Sequence, residues 1–453
     1  MSDLEADNRP TGPEFVRGKF QLAPYSPEME VTGHRLTAFE AKDAYGEALL
    51  QEAIDFGSAI LVKKPGAAAD ALRRQREELG VPLDEASKLL HLPVEQIEDD
   101  DNSIGIAKLE TLGLKLGLDE RLLSVEIDAG ADRELGVRLR TLQAESQQSL
   151  SSRTVLNFAE AASLVRIQTR MNRWLGLPVV WDDFDKTSDY GSASHPAFKV
   201  GYELAEIVRK KFDLGGGSIS SMRELVEADL GIPVFQQSLP DSIAGATISN
   251  GNERGIILNT EGKNSSVFVR RSTLAHELGH LLFDPAQNMR NITVDLYDQN
   301  DLDPETGTAA NYVEQRANAF AITFLAPPDA VRDLVQTPIK PEAVASVMQT
   351  FGISVTAATY HIRNSFYRNY DVPDELPRIE ADQHWLAAEN YALDFFKPAE
   401  VPHNRRGRFA GLVAACFQRG LISADTAALY LDCTVDAFEE NVEIILELYP
   451  IEN

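Results

Sequence analysis

The chain has 453 residues, enough for two or three domains with sizeable cores. Apolar residues make up 43% and charged residues 25%, which is a globular composition and not a disordered one. The 70 acids outweigh the 43 bases for a formal charge of −27, which argues against broad affinity for nucleic acid or an anionic membrane, since both need clustered Lys and Arg.

Cys416 and Cys433 are the only cysteines. Two thiols make neither a disulfide framework nor a multi-cysteine zinc site, so a reducing cytoplasm is expected and any metal must rely on His and carboxylate. The start, MSDLEADNRPTGPEF, is polar and acidic and does not read as a secretory signal. No run of about 18 apolar residues marks a membrane span.

In chain order, residues 1–46 are rich in Pro, Gly and acids and read as a partly ordered arm, followed by a short helical pattern from Glu47 to Val62. From Ala68 to Ile127 the pattern is a run of short helices. Leu72 and Leu79 fall on one face, then Leu83, Ala86 and Leu90, then a turn at His91-Leu92 with Pro93 opening PVEQIEDD. IGIAKLETLGLKLGL gives a longer amphipathic helix. Helices are expected over Thr154–Trp174 and Pro196–Phe212, and a shorter one ends at Gly231. IPVFQQ, SIAGATIS and RGIILNT then read as three strands, being short, β-branched and bounded by turn residues. Helices around Leu274–Phe283 and Tyr312–Leu325 follow, with more across 329–369. Residues 371–404 are Pro-rich and irregular, and Arg406–Leu448 returns to short helices.

The chemistry sits in Thr273-Leu274-Ala275-His276-Glu277-Leu278-Gly279-His280. Two histidines four apart on a helix point the same way, roughly 6 Å apart along the axis, so both rings can meet one metal. Glu277 projects beside that metal, where it can take a proton from water. Leu274, Ala275, Leu278, Leu281 and Leu282 give the helix a buried face, and Gly279 implies a close contact. A catalytic zinc takes three protein ligands. Glu314, 34 residues beyond His280 on a second apolar-faced helix, is one choice for the third, although it also reads as a surface acid. Asp284 is the rival, although its place at the helix end suits a cap or a group behind the ligands.

From about Pro196 to Asn364 the chain resembles the ImmA/IrrE family of zinc metallopeptidases. The resemblance is carried by Ser242-Ile243-Ala244-Gly245, Ile256-Ile257-Leu258-Asn259, the HELGH segment, Glu314-Gln315-Arg316-Ala317-Asn318-Ala319-Phe320-Ala321, and Leu325-Ala326-Pro327. It implies Zn2+ held by His276, His280 and Glu314, with Glu277 as general base. It further implies an α+β, mostly helical, multidomain chain with a zincin-like core, a small twisted sheet over the two zinc-binding helices. Members of the family cleave transcriptional repressors, releasing stress-response genes or mobile elements, so a cytoplasmic hydrolase acting on a regulatory protein is expected. Asp284 stands where a histidine is common, and Phe324-Leu325-Ala326 precedes Pro327 in place of a Leu-Leu-Met run. Both departures touch the rim of the pocket and not the ligands. If SIAGATIS forms the sheet edge above the zinc, its free backbone groups would hold an extended substrate as an added strand. Tyr360, His361 and Arg363 are available as oxyanion donors but are not assigned that role. His34, His91, His195, His384 and His403 read as structural or surface groups.

Residues 68–128 resemble the Xre helix-turn-helix domain, through Leu72-Arg73, Arg76-Glu77, Leu83-Asp84-Glu85-Ala86, Leu89-Leu90-His91-Leu92-Pro93, Ile97, Leu109, Leu112 and Leu116-Gly117-Leu118. The recognition segment is acidic, with Glu95, Glu98, Asp99, Asp100 and Asp101, and the region holds 7 bases against 15 acids, a net of −8. Phosphates repel such a helix, so DNA is disfavoured as a partner. The expected domains are an acidic arm with a short helix (1–67), an Xre-like domain (68–128), an ImmA/IrrE-like peptidase domain (150–369) and a helical carboxy-terminal domain (370–453). The alternative function is a helix-turn-helix regulator or antitoxin-like interaction protein whose zinc domain senses or is structural.

Overall fold

The chain is a mostly helical α+β protein with two small sheets. The computed structural model describes residues 13–28, 33–99, 104–123, 125, 150–178, 180, 196–250, 253–284, 293–296, 309–335, 339–366, 380–389 and 400–451. It divides into unit 1 (Met1–Leu177, Asn250–Glu253 and Ala392–Asn453) and unit 2 (Pro178–Ser249 and Arg254–Tyr391).

Unit 1 begins with a sheet where an arm was expected. β1 (Glu14–Arg17), β2 (Gln21–Pro24), β3 (His34–Thr37) and β4 (Ala59–Ile60) pair antiparallel in the order β3-β1-β2-β4. Strands of two to four residues carry too little alternation to register as strands in the sequence. Their core residues, Phe15, Leu22, Leu36 and Ala59, are far apart in the chain and meet only on folding. α1 (Ala38–Tyr45) starts on a capping box: Thr37 Oγ1 accepts from the Glu40 amide at 3.1 Å, and Glu40 Oε2 accepts from the Thr37 amide at 2.9 Å. α2 (Glu47–Phe56) stops at Gly57, whose φ of 79° is left-handed.

α3 (Ala67–Glu78), α4 (Leu83–Leu90), α5 (Val94–Asp99) and α6 (Ile106–Lys115) follow. His91 turns the chain between α4 and α5 in the left-handed region, with φ 53°. α7 (Ser152–Trp174) is buried on most of its faces and capped by Ser151.

Unit 2 opens with α8 (Ala197–Lys211) and a short helical turn over Met222–Asp229. β5 (Val234–Gln237), β6 (Ile243–Asn250), β7 (Glu253–Asn259) and β8 (Thr293–Leu296) form a sheet in the order β5-β7-β6-β8. β5 runs parallel to β7, with Val234 opposite Ile256, and β8 runs antiparallel to β6. β6 is therefore not the free edge expected for SIAGATIS; β8 covers it. α9 (Val267–Phe283) carries the histidine motif and packs on α10 (Ala309–Leu325), and α10 packs on α8. Both helix crossings depend on glycine. A Cβ at Gly201 would lie 2.4 Å from the Arg316 carbonyl oxygen, and one at Gly279 would lie 2.8 Å from Phe320 Cδ1. α11 (Pro328–Leu334), α12 (Pro341–Phe351), α13 (Val355–Ser365) and α14 (Gln383–Ala388) complete the unit.

The carboxy-terminal helices α15 (Arg408–Gln418), α16 (Ala424–Leu431) and α17 (Val435–Leu448) return to unit 1. These units cut the chain differently from the four expected segments. Arg17 donates to Glu110 Oε1 at 2.6 Å, His34 Nε2 meets Thr426 Oγ1 at 2.9 Å, and Arg405 pairs with Glu160. Buried bonds of this kind tie residues of the segments 1–67, 68–128, 150–369 and 370–453 into one unit, and α7 goes with it. Among the described residues, no helix is long and apolar enough to cross a membrane.

Candidate metal centre

α9 delivers the two histidines. Its residues from Thr273 to Phe283 are all buried, His276 and His280 included. His276 and His280 are one turn apart, and their Nε2 atoms approach to 2.9 Å. Glu314 enters from α10: Oε2 is 3.4 Å from His276 Nε2 and Oε1 is 3.6 Å from His280 Nε2. Among the described residues, His276, His280 and Glu314 are the one group of three such side chains placed so that it could hold a metal ion, with ligand atoms within 4.8 Å of one another.

These spacings test whether a metal fits. Bonds of about 2.0–2.1 Å in a tetrahedron place neighbouring donors about 3.3 Å apart. The observed 2.9, 3.4 and 3.6 Å bracket that value, so two imidazoles and a carboxylate can share one ion of zinc size.

Asp284, the rival ligand, sits behind His280. Its Oδ2 lies 2.9 Å from His280 Nδ1, on the far side of the ring from Nε2. With Nδ1 engaged by Asp284, Nε2 is the ring nitrogen left to face the cluster. Arg316, two residues after Glu314 on α10, binds the other Asp284 oxygen. The helix that supplies the carboxylate thus also fixes the group that orients a histidine. Burial alone would lower the His280 pKa, but Asp284, aided by Glu314, holds it well above the ordinary value. Burial would raise Glu314, but the two imidazoles hold it below the ordinary carboxylate range.

Glu277 is fully buried and points to β6, where Thr247 Oγ1 donates to its Oε2 at 2.7 Å. Gly245 lies beside it. A Cβ there would come within 3.2 Å of Glu277 Oε1 and 3.0 Å of Thr273 Cγ2. Thr273 in turn bonds Asn264 Oδ1 at 3.1 Å, and Asn264 Nδ2 donates to the Ala244 carbonyl at 2.7 Å. Strand and helix are thereby locked in register across the carboxylate.

Of the residues left unassigned, Tyr360 is exposed, and His361 is buried with Nε2 bound to the Ala326 carbonyl at 2.6 Å. Burial pushes the His361 pKa down to about 4, which marks a neutral packing histidine. His34 is likewise buried and bonded, as expected of a structural group. His195 lies outside the described residues. Sequence reasoning missed Thr247 and Arg316. A hydroxyl two residues from Gly245 on a strand, and an arginine two residues from Glu314, were the available signals, but neither has a local partner that shows its role.

Residues 228–363 match the family model described as the IrrE N-terminal-like domain, a peptidase family. The match spans under a third of the chain, includes all the residues of the cluster and does not extend to residues 68–128. None of the curated proteins compared matches the chain.

Proposed function

We propose that this chain is a zinc-dependent endopeptidase that cleaves a regulatory protein, a transcriptional repressor or a regulator of that kind, in the cytoplasm. One observation carries the reading: three ligand atoms converge within 4.8 Å, and the glutamate next to the first histidine is fully buried with its Oε2 held by Thr247. A structural metal site has no use for that glutamate. The peptidase match over the same residues supports the reading.

His276, His280 and Glu314 would hold the ion, which when bound polarises a carbonyl and lowers the pKa of water to about 7. The chain's own groups do the rest. Glu277 takes a proton from the attacking water as the oxygen adds to the scissile carbonyl carbon. When the C–N bond breaks, Glu277 passes that proton to the departing amine, leaving a carboxylate and a free amino terminus. Thr247 holds Oε2 by donating to it, which fixes the carboxylate plane, and Gly245 keeps side-chain bulk away from Oε1. Asp284 and Arg316 keep the His280 ring in place.

The rival reading is a helix-turn-helix regulator or antitoxin-like protein with a sensing or structural zinc. On residues 68–128 we propose a helix-turn-helix fold, with α4 and α5 joined at His91, that contacts protein and not DNA. Glu95 and Gln96 are exposed on α5. Glu98 is buried against Arg76, its Oε1 accepting at 2.6 Å, so that arginine is unavailable to phosphate. A shift assay with promoter DNA at low salt checks this, and tight sequence-specific binding would reverse it.

The deciding test is metal analysis combined with incubation of the chain with the product of the neighbouring gene. Glu277→Gln keeps the metal and loses cleavage by about 10²-fold or more, the scale of a general base. Equal cleavage by wild type and variant would end the peptidase reading.

A further inference from the structure

β8 lies where an extended substrate would have to lie. On α9, residues are set about 100° apart. Glu277 points at β6, where it meets Thr247 and Gly245. Leu281 then falls about 40° to one side, and there Arg254 of β7 donates to its carbonyl at 2.8 Å. His280 and His276 fall about 60° and 100° to the other side, away from β7. The strand on that side of β6 is β8. This order of faces is the one expected of a cluster that opens on the β8 side of β6.

The pairing along this seam is antiparallel. Thr247 is opposite Thr293, Ala246 opposite Val294, Gly245 opposite Asp295 and Ile243 opposite Leu296, with a register shift between Ile243 and Gly245. The residues of β6 that face Glu277 are thus the ones that β8 pairs with. A peptide held by main-chain bonds next to Glu277 needs the same edge.

We propose that Thr293–Leu296 is a resident stand-in for substrate. It occupies the substrate edge of β6 and must leave before a substrate strand can pair there. The proposal deepens the endopeptidase reading and rests on it. It assigns the substrate class as an extended, unpaired segment running antiparallel to β6, since only such a segment can replace β8 bond for bond. A four-residue strand, paired to β6 across a register shift between Ile243 and Gly245, is a short clamp, suited to displacement.

The test uses the full zinc-loaded chain and a fluorescent extended peptide ending in a hydroxamate, which chelates the metal without being cleaved. Ala246→Cys with Val294→Cys joins residues that are register partners, so a disulfide locks β8 onto β6. The oxidised form binds the probe about tenfold or more weakly than the reduced form, because locking shrinks the competent fraction, while metal content stays the same. Val294→Pro, which weakens the ladder, binds the probe several-fold more tightly than wild type, on the order of the fraction of chains released. Hydrogen exchange on wild type supplies a readout that needs no variant: with probe bound, amides 293–296 lose protection and amides 243–247 keep it. Equal binding by the oxidised and reduced forms, protection of 293–296 unchanged by the probe, or no binding by either wild type or Val294→Pro with metal present would each overturn the proposal. Failure of the peptidase reading shows separately, as equal cleavage by wild type and Glu277→Gln.

Discussion

Each unit buries a histidine–carboxylate cluster, and the two clusters differ in where their lone pairs go. In unit 1, His34 has both ring nitrogens engaged, Nδ1 by Glu110 and Nε2 by Thr426. Glu110 also takes Arg17, and nearby Glu120 Oε1 accepts from both Arg170, at 2.7 Å, and the Tyr430 hydroxyl, at 2.9 Å. Charge cancels charge, and among the described residues of this cluster no set of donors faces a common point. In unit 2, Asp284 engages only the outer nitrogen of His280, and the inner nitrogens meet each other and Glu314. Burial and ionisable side chains are common to both. Only convergent donors make a place for a cation.

The comparison breaks most visibly at Glu110. Glu110→Ala leaves Arg17 and His34 buried without their main counter-charge and costs about 3–5 kcal/mol of unit 1 stability, with the metal stoichiometry of unit 2 unchanged. Chemical denaturation with metal analysis measures both, and a loss below about 1 kcal/mol would mean that the network behaves like surface ion pairs.

Asp284→Asn probes the other cluster. It weakens the hold on His280 and lowers metal affinity about 10–100-fold, read by competition with a chelator. Unchanged affinity would show that the ring is oriented by packing alone.

Gly279→Ala sharpens the role of packing. Helix propensity favours alanine by about 1 kcal/mol. The new Cβ would meet Phe320 Cδ1 at 2.8 Å, and Phe320 is stacked on Phe324 at 5.3 Å and has little room to yield. Overpacking of this kind costs about 1–3 kcal/mol, so we expect a net loss of about 1 kcal/mol in unit 2 by denaturation. A gain in stability would show that α9 and α10 can separate without cost.

The smallest effect is expected at the thiols. Burial pushes Cys416 up to about 12 and Cys433 up to about 11, so neither is ionised near neutrality. Iodoacetamide at neutral pH should leave the native chain unmodified and label both thiols once it is denatured. Fast labelling of the native chain would assign unit 1 a reactive group that its cluster does not otherwise have.

What the sequence by itself determined is local in origin. His276 and His280 share a helix face because residues four apart must do so, and the strands over 234–259 follow from β-branched runs between turn residues. The resemblance on EQRANAFA pointed to Glu314, and the structure brings that residue to both imidazoles. Tertiary structure decided everything that depends on a distant partner. Asp284 could have been ligand or support, and the ring face it meets, together with the Arg316 that grips it, sets it behind His280. The amino-terminal sheet was illegible because strands this short are specified by what covers them. The cover that β8 lays over β6 was hidden for a related reason: strand pairing is a long-range contact, and four residues of sequence do not state which edge they will join.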